Sequence, residues 1–203
     1  AAIEGNRREY IQQLQDLRDF HSREARLVVP LAQRAELDRT LDDHFQELTE
    51  LVKGLAVLGE LTPRSIDAIS SYGERLSSYI VTLAFRHFGM DAQHLDARKV
   101  IITDRRHTQA APLYAESYRR LRETIPPLAE HSVVVMGGFI GSTEDGVTST
   151  LGRGGSDFTA SIVGAGIGAA VGYETTDNSD YVFDRNFGSA LGALLVGIAG
   201  GVT

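Results

Sequence analysis

The sequence predicts an α/β fold in which a parallel sheet with flanking helices follows an N-terminal helical region. Three observations carry that expectation. Apolar residues recur at spacings of three and four over residues 4–53, as they do along one face of a helix. Two short β-branched runs, Val100 to Ile102 and Val133 to Val135, bracket a helical pattern at residues 112–124, and strand, helix, strand implies a right-handed parallel crossover. The second run then feeds a Gly-rich stretch that ends directly ahead of an apolar segment, Phe158 to Ala170.

In chain order, Tyr10, Ile11, Leu14, Leu17 and His21 form the first apolar stripe, and Leu37, Leu41, Phe45, Leu48, Leu51 and Val52 the next, so residues 4–53 hold two or more helices. His21 and His44 are too far apart in sequence to form a local metal pair and read as partly buried or surface histidines. Thr62-Pro63 is a helix start, with Thr62 as N-cap and Pro63 at the first helical position, and Gly89 is the stop after about His87. Inside that helix Ser70-Ser71-Tyr72-Gly73-Glu74-Arg75-Leu76-Ser77-Ser78 is rich in small residues of low helix propensity. Tight packing at Gly73 with Glu74 and Arg75 as a solvated pair accounts for it, as does a site that something approaches closely. A strand is expected over His94 to Asp104, then a helix from Pro112 to Thr124 with Leu113, Tyr118 and Leu121 inward, then a strand at Val133 to Met136. Asp104, Arg105, Arg106 and His107 follow the first strand, either as a solvated loop or as one edge of a site at the carboxyl ends of the strands.

Gly137 and Gly138 permit a sharp turn, and Glu144-Asp145-Gly146 reads as a tight hairpin turn between two Thr/Ser-bearing arms. The second arm ends in Gly152-Arg153-Gly154-Gly155-Ser156-Asp157. A Gly-rich turn into a helix start leaves backbone N–H groups pointing outward, which suits an anion. Ser156 and Asp157 as N-cap residues would equally make it an ordinary loop-to-helix junction. Arg153 adds a planar guanidinium that can grip a carboxylate bidentately, with the Asp157 carboxylate four residues on to face the other end of the same molecule. Beyond this, 16 of the 21 glycines lie between Gly137 and the C-terminus. Gly164, Gly166, Gly168 and Gly172 alternate with Ala, Ile and Val, and Ala190 to Val202 repeats the character. Each run is about 14 residues, short of the roughly 20 that span a bilayer, so a buried helix or strand is expected in preference to a membrane hairpin.

Composition sets the bounds. At 203 residues, 42% hydrophobic and 23% charged, the chain is ordinary for one globular core, which excludes the disordered and fibrous classes. A net charge of −7 provides no basic face for nucleic acid. The absence of cysteine removes disulfides, thiol nucleophiles and thiolate metal sites, consistent with a cytoplasmic protein, and no secretory leader is read at the start.

The segment Gly138-Phe139-Ile140-Gly141-Ser142-Thr143-Glu144-Asp145-Gly146 followed by Thr150-Leu151-Gly152-Arg153-Gly154-Gly155-Ser156-Asp157 resembles the substrate-site signature of the aspartokinases, within the amino-acid kinase superfamily. The resemblance extends upstream through residues 58–78 and covers roughly residues 1–165. It implies an amino-acid-kinase-like parallel sheet over residues 1–170, made of a helical region (1–60) and a substrate-site half (61–170), with residues 171–203 as a divergent Gly-rich tail. It implies an enzyme, an aspartate kinase in which ATP with Mg²⁺ phosphorylates the β-carboxylate of L-aspartate to 4-phospho-L-aspartate, the first step towards lysine, threonine and methionine. Arg153 would hold the α-carboxylate, Glu74 the ammonium group, Ser156 and Asp157 the reacting end, and Phe139 would line the pocket, Asp157 being the catalytic candidate. No nucleotide-binding residue and no metal ligand is assigned.

The chain departs from that family in two places. Lys53 and Lys99, its two lysines, do not sit in the Lys-Phe-Gly-Gly-Thr strand with which the family opens. The Thr-Asp-Val-Asp-Gly nucleotide motif is reduced to Thr176-Asp177 and Asp184-Arg185. With the paired regulatory domains also lacking after Thr203, the expectation is a partial kinase domain, weak or inactive as this fragment. Alternatives are a non-catalytic amino-acid-binding or subunit-interaction fragment, acting as a homo-oligomer or with a complementing subunit, and a membrane-associated Gly-rich protein.

Overall fold

Three long helices lead the chain in the computed structural model, which describes residues 6–174 and side-chain surroundings through residue 168. Helix α1 (Arg7–Val28) starts where the Asn6 side chain accepts from the Glu9 amide. A short 3-10 turn, Leu31–Gln33, leads to α2 (Arg34–Leu58), which stops at Gly59 in the left-handed region, φ 71°. Helix α3 (Pro63–His87) opens with a reciprocal box: Thr62 Oγ1 accepts from the Ser65 amide at 3.2 Å, and Ser65 Oγ accepts from the Thr62 amide at 2.9 Å. This satisfies two donors that a helix start leaves free. The three helices share a core of Ala25, Val29, Leu37, Leu41, Phe45, Leu48, Tyr72, Leu76 and Leu83. The expected α1 stripe is corrected in part: Tyr10 is buried, but Ile11 and Leu17 remain 42% and 44% exposed, because α1 is covered only along the seam that meets its two neighbours.

The strands are short. β1 (Ala92–His94) pairs in parallel with β3 (Val133–Val135), Ala92 opposite Val133; β2 (Ile102–Thr103) pairs in parallel with β4 (Ile140–Thr143); and β4 turns back antiparallel onto β5 (Thr148–Thr150), Ile140 opposite Thr150. The hairpin falls where Glu144-Asp145-Gly146 placed it. The single strand expected over residues 94–104 is instead two strands in two sheets, separated by a 3-10 turn at Ala97–Lys99, where Asp96 accepts from the Arg98 amide. Val100 and Ile101 between them are fully buried, and a buried irregular segment has the same apolar signature as a buried strand.

Helix α4 (Tyr114–Ala129) starts later and ends later than the sequence suggested, passing through Pro126 and Pro127. Ile125, buried just before them, and Leu128, packed on the core, hold that last turn down. Helix α5 (Gly155–Glu174) contains the first Gly-rich apolar run. It lies against α4, where a Cβ on Gly166 would come within 2.9 Å of Tyr118 Cδ1, so a small residue there lets the helices approach. A second core, including Val100, Ile101, Leu121, Val134, Ile140, Leu151, Ile162 and Val163, fills the space between these helices and the strands. No described helix is long and apolar enough to cross a membrane. Residues 190–202 and the remnants at 176–177 and 184–185 lie outside the described residues.

Candidate active site

The loop after β3 is built so that two distant helices can meet. A Cβ on Gly137 would stand 3.0 Å from the Glu74 carbonyl oxygen and 3.2 Å from its Cβ; one on Gly138 would stand 2.8 Å from Ser156 Cα. Glycine at both positions therefore allows the middle of α3 and the first turn of α5 to close on the same loop. Phe139, the next residue, takes φ 66°, a left-handed conformation that costs a β-carbon-bearing residue about 1–2 kcal/mol. Three contacts hold it there: its amide donates to Thr159 Oγ1 at 3.1 Å, its carbonyl accepts from the Leu151 amide at 2.9 Å, and its ring sits where a Gly155 Cβ would be, 2.9 Å away.

Glu74 projects from α3 into this junction, half-buried, and its Oε2 is buried with no hydrogen-bond partner among the described residues. Burial pushes its carboxyl above the usual carboxylate range, and the Gly138 amide pulls back against that shift. The solvated Glu74–Arg75 pair is corrected. Arg75 turns the other way, 3.1 Å from Glu47 of α2 and stacked 4.7 Å from the Tyr72 ring. Tight packing at Gly73 is corrected as well, since nothing lies within 4 Å of a Cβ built there. The interior serines satisfy their hydroxyls on their own helix, Ser71 on the Ala68 carbonyl and Ser78 on that of Glu74, both at 2.7 Å.

On the other side, Gly152 and Gly154 hold left-handed φ values of 76° and 72° around Arg153. Arg153 and Asp157 are exposed and form no ion pair with any described residue. Ser156 and Asp157 occupy the first turn of α5 and not its cap, because the helix begins at Gly155. The structure thus brings Glu74, Phe139 and Ser156 against one loop, with Arg153 and Asp157 on the exposed rim leading into α5. Beyond Gly137 a cavity of about 280 Å³ opens, lined in part by Arg75, Ser78, His94, Asp96 and Lys99. His94 Nε2 lies 3.0 Å from Ser78 Oγ, and burial lowers its pKa. Among the described residues no group of three or more acidic or imidazole side chains could hold a metal ion.

The profile of the amino acid kinase family matches residues 4–185 of the chain, nearly its whole length. The chain belongs to the amino acid kinase family. Similar curated proteins are the lysine-sensitive aspartokinase 3 of Escherichia coli, 33% identical over 130 residues, and aspartokinase 1 of Bacillus subtilis, 37% identical over 110 residues. The match covers 62% of this chain and 29% of the first, and 54% of this chain and 26% of the second, so the chain spans less than a third of either relative. The crystal structure of E. coli aspartokinase III in complex with aspartate and ADP superposes with a TM-score of 0.70 at 29% identity, over 80% of this chain and 35% of that one.

Within this amino acid kinase fold the sequence left one group unread. Asp67, Ser71, Ser78 and Thr82 are buried at 0–1% exposure on α3. With Glu74 they form a polar stripe at helical spacing that faces into the protein, and that spacing was the available signal. His107, read as part of a solvated loop or a site edge, is not solvated: its Nδ1 lies 2.7 Å from Asp67 Oδ2, and its side chain is 15% exposed. Its neighbours do face solvent, Arg105 paired with Asp145 at 3.2 Å and Arg106 with Asp104 at 2.6 Å. His21 and His44 each bond the backbone carbonyl four residues earlier at 2.8 Å, as part of helix packing.

Proposed function

We propose that this chain carries the amino-acid half of an aspartate kinase site, a phosphotransferase with a carboxyl acceptor. The observation that carries the reading is the buried, unpartnered Oε2 of Glu74. A buried carboxylate oxygen without a donor is costly, and a ligand ammonium group relieves the cost. Arg153, unpaired among the described residues and flanked by glycines, grips the α-carboxylate; Ser156 and Asp157, in the first turn of α5, orient the β-carboxylate; Phe139 lines the pocket. The aspartate and ADP held by the similar E. coli aspartokinase III support L-aspartate and ATP as the two substrates. A β-carboxylate oxygen attacks the γ-phosphorus, the bond from that phosphorus to the bridging oxygen breaks, ADP leaves and 4-phospho-L-aspartate forms. This chain's residues contribute position and charge, the main demands of phosphoryl transfer. Mg²⁺ would accompany the nucleotide and offset the charge of its phosphates, and no residue of this chain is proposed to hold it.

Titration calorimetry of the full chain with L-aspartate and, separately, with Mg-ATP tests the proposal. L-aspartate is expected to bind one per chain, and Arg153→Ala to weaken it by about 2 kcal/mol or more, roughly thirty-fold. A folded chain that ignores L-aspartate overturns the reading; binding of L-aspartate without Mg-ATP marks a substrate half that awaits its phosphate-handling partner.

A further inference from the structure

Asp67 is the one charged side chain that is fully buried among the described residues. It lies two turns before Glu74 on the same stripe of α3, and both its oxygens are engaged. Oδ1 accepts from Thr150 Oγ1 at 2.6 Å and from the Thr108 amide at 2.9 Å; Oδ2 faces the same amide at 3.0 Å and His107 Nδ1 at 2.7 Å. These partners come from two separate segments. Thr150 ends β5, three residues before Arg153. Thr108 belongs to the loop after β2 and holds a left-handed φ of 70°, a conformation that Thr avoids unless its surroundings impose it.

The two segments are joined to each other and to the arginine turn. The Ala110 amide donates to the Thr150 carbonyl at 2.9 Å, and a Cβ on Gly152 would stand 3.0 Å from the Thr108 carbonyl oxygen. The Gly155 amide closes the turn on the Gly152 carbonyl at 3.0 Å, with Arg153 inside it. One carboxylate therefore holds the strand that leads into the turn and the loop that backs it, while the exposed Arg153 side chain has no described partner of its own to set its position.

We propose that Asp67 is a positioning residue for substrate binding: through Thr150 and Thr108 it fixes the Gly152–Gly155 turn and so sets Arg153 relative to Glu74, which sits on the same helix as Asp67. The clause about substrate rests on the aspartate reading above; the clause about the turn does not. A buried carboxylate with four bonds could serve stability alone, and that alternative predicts that any variant which still folds keeps its turn and its affinity.

The test uses the full chain, with Asp67→Asn, which keeps the shape and removes the charge, and Thr150→Val, which removes one hydroxyl donor. Thr150→Ser, which restores that hydroxyl, is the rescue. Backbone ¹⁵N relaxation is recorded without ligand, and L-aspartate affinity is measured by calorimetry. In Thr150→Val, and in Asp67→Asn if it folds, the amides of residues 152–154 are expected to gain fast motion while those of α4 do not change, and L-aspartate affinity to fall about tenfold; Thr150→Ser stays within about twofold of wild type. Unchanged relaxation at residues 152–154 in a folded variant overturns the proposal whatever aspartate does. Changed relaxation with unchanged affinity overturns its substrate clause. If the wild-type chain fails to bind L-aspartate, the aspartate reading falls, and the relaxation data still decide the role of Asp67 in the turn.

Discussion

Glu74 shows how a single side chain ties the fold to the proposed chemistry. Burial raises its pKa above the value it has in an unfolded chain. Between those two values the folded state binds more protons than the unfolded one, so this group's contribution to stability is complete below the unfolded pKa and is lost as pH rises through the folded one. Ligand binding runs the other way. An ammonium group favours the ionised carboxylate, so L-aspartate affinity should rise with pH across the window just above the ordinary carboxylate range and level off beyond it. Glu74→Gln should abolish that slope and weaken binding at neutral pH by about tenfold or more, for the loss of one charge-assisted contact; calorimetry at several pH values checks both. Glu74 was legible because its motif is long and its neighbours are unusual for a helix. Its orphaned oxygen was not legible, since that depends on which residues fail to reach it. Asp67 went unread for the same reason, its four bonds going to residues 107, 108 and 150.

At the scale of elements, the helices, β3 and the β4–β5 hairpin were readable, and the division of the first expected strand into β1 and β2 was not. Caps, stops and apolar spacing are local properties, and Thr62-Pro63 and Gly89 act where the sequence places them. Two-residue and three-residue strands carry too few positions for a period, and their identity comes from their partners. Ser117 illustrates this. Its Oγ accepts from the Ile102 amide at 2.9 Å and donates to the Ile102 carbonyl at 3.1 Å, so a helix side chain takes the place of a neighbouring strand along β2. Ser117→Ala leaves a buried amide and a buried carbonyl without that partner and should cost about 1–3 kcal/mol in urea unfolding. A similar loss at the exposed Ser161, whose hydroxyl bonds its own helix, should stay within about 0.5 kcal/mol.

At the scale of the molecule, the proposed site lies where the two cores meet. Glu74 comes from the helical layer, and Phe139, Arg153 and Ser156 come from the layer built on the strands. A ligand that bridges them binds only when both are folded, so saturating L-aspartate should raise the melting temperature of the whole chain. At 100 times Kd the linkage is worth about 2.7 kcal/mol, a shift of roughly 5–10 °C for a chain of this length, and Arg153→Ala should lose most of it. The sequence by itself determined the α/β class, the long helices, the hairpin and the family, because each depends on periodicity, turn chemistry or an unbroken motif. Only the tertiary structure decided the split of the first strand, the partners of Asp67 and the empty face of Glu74. These are contacts between residues up to 83 positions apart, and their existence depends on how separate layers pack, which no local pattern encodes.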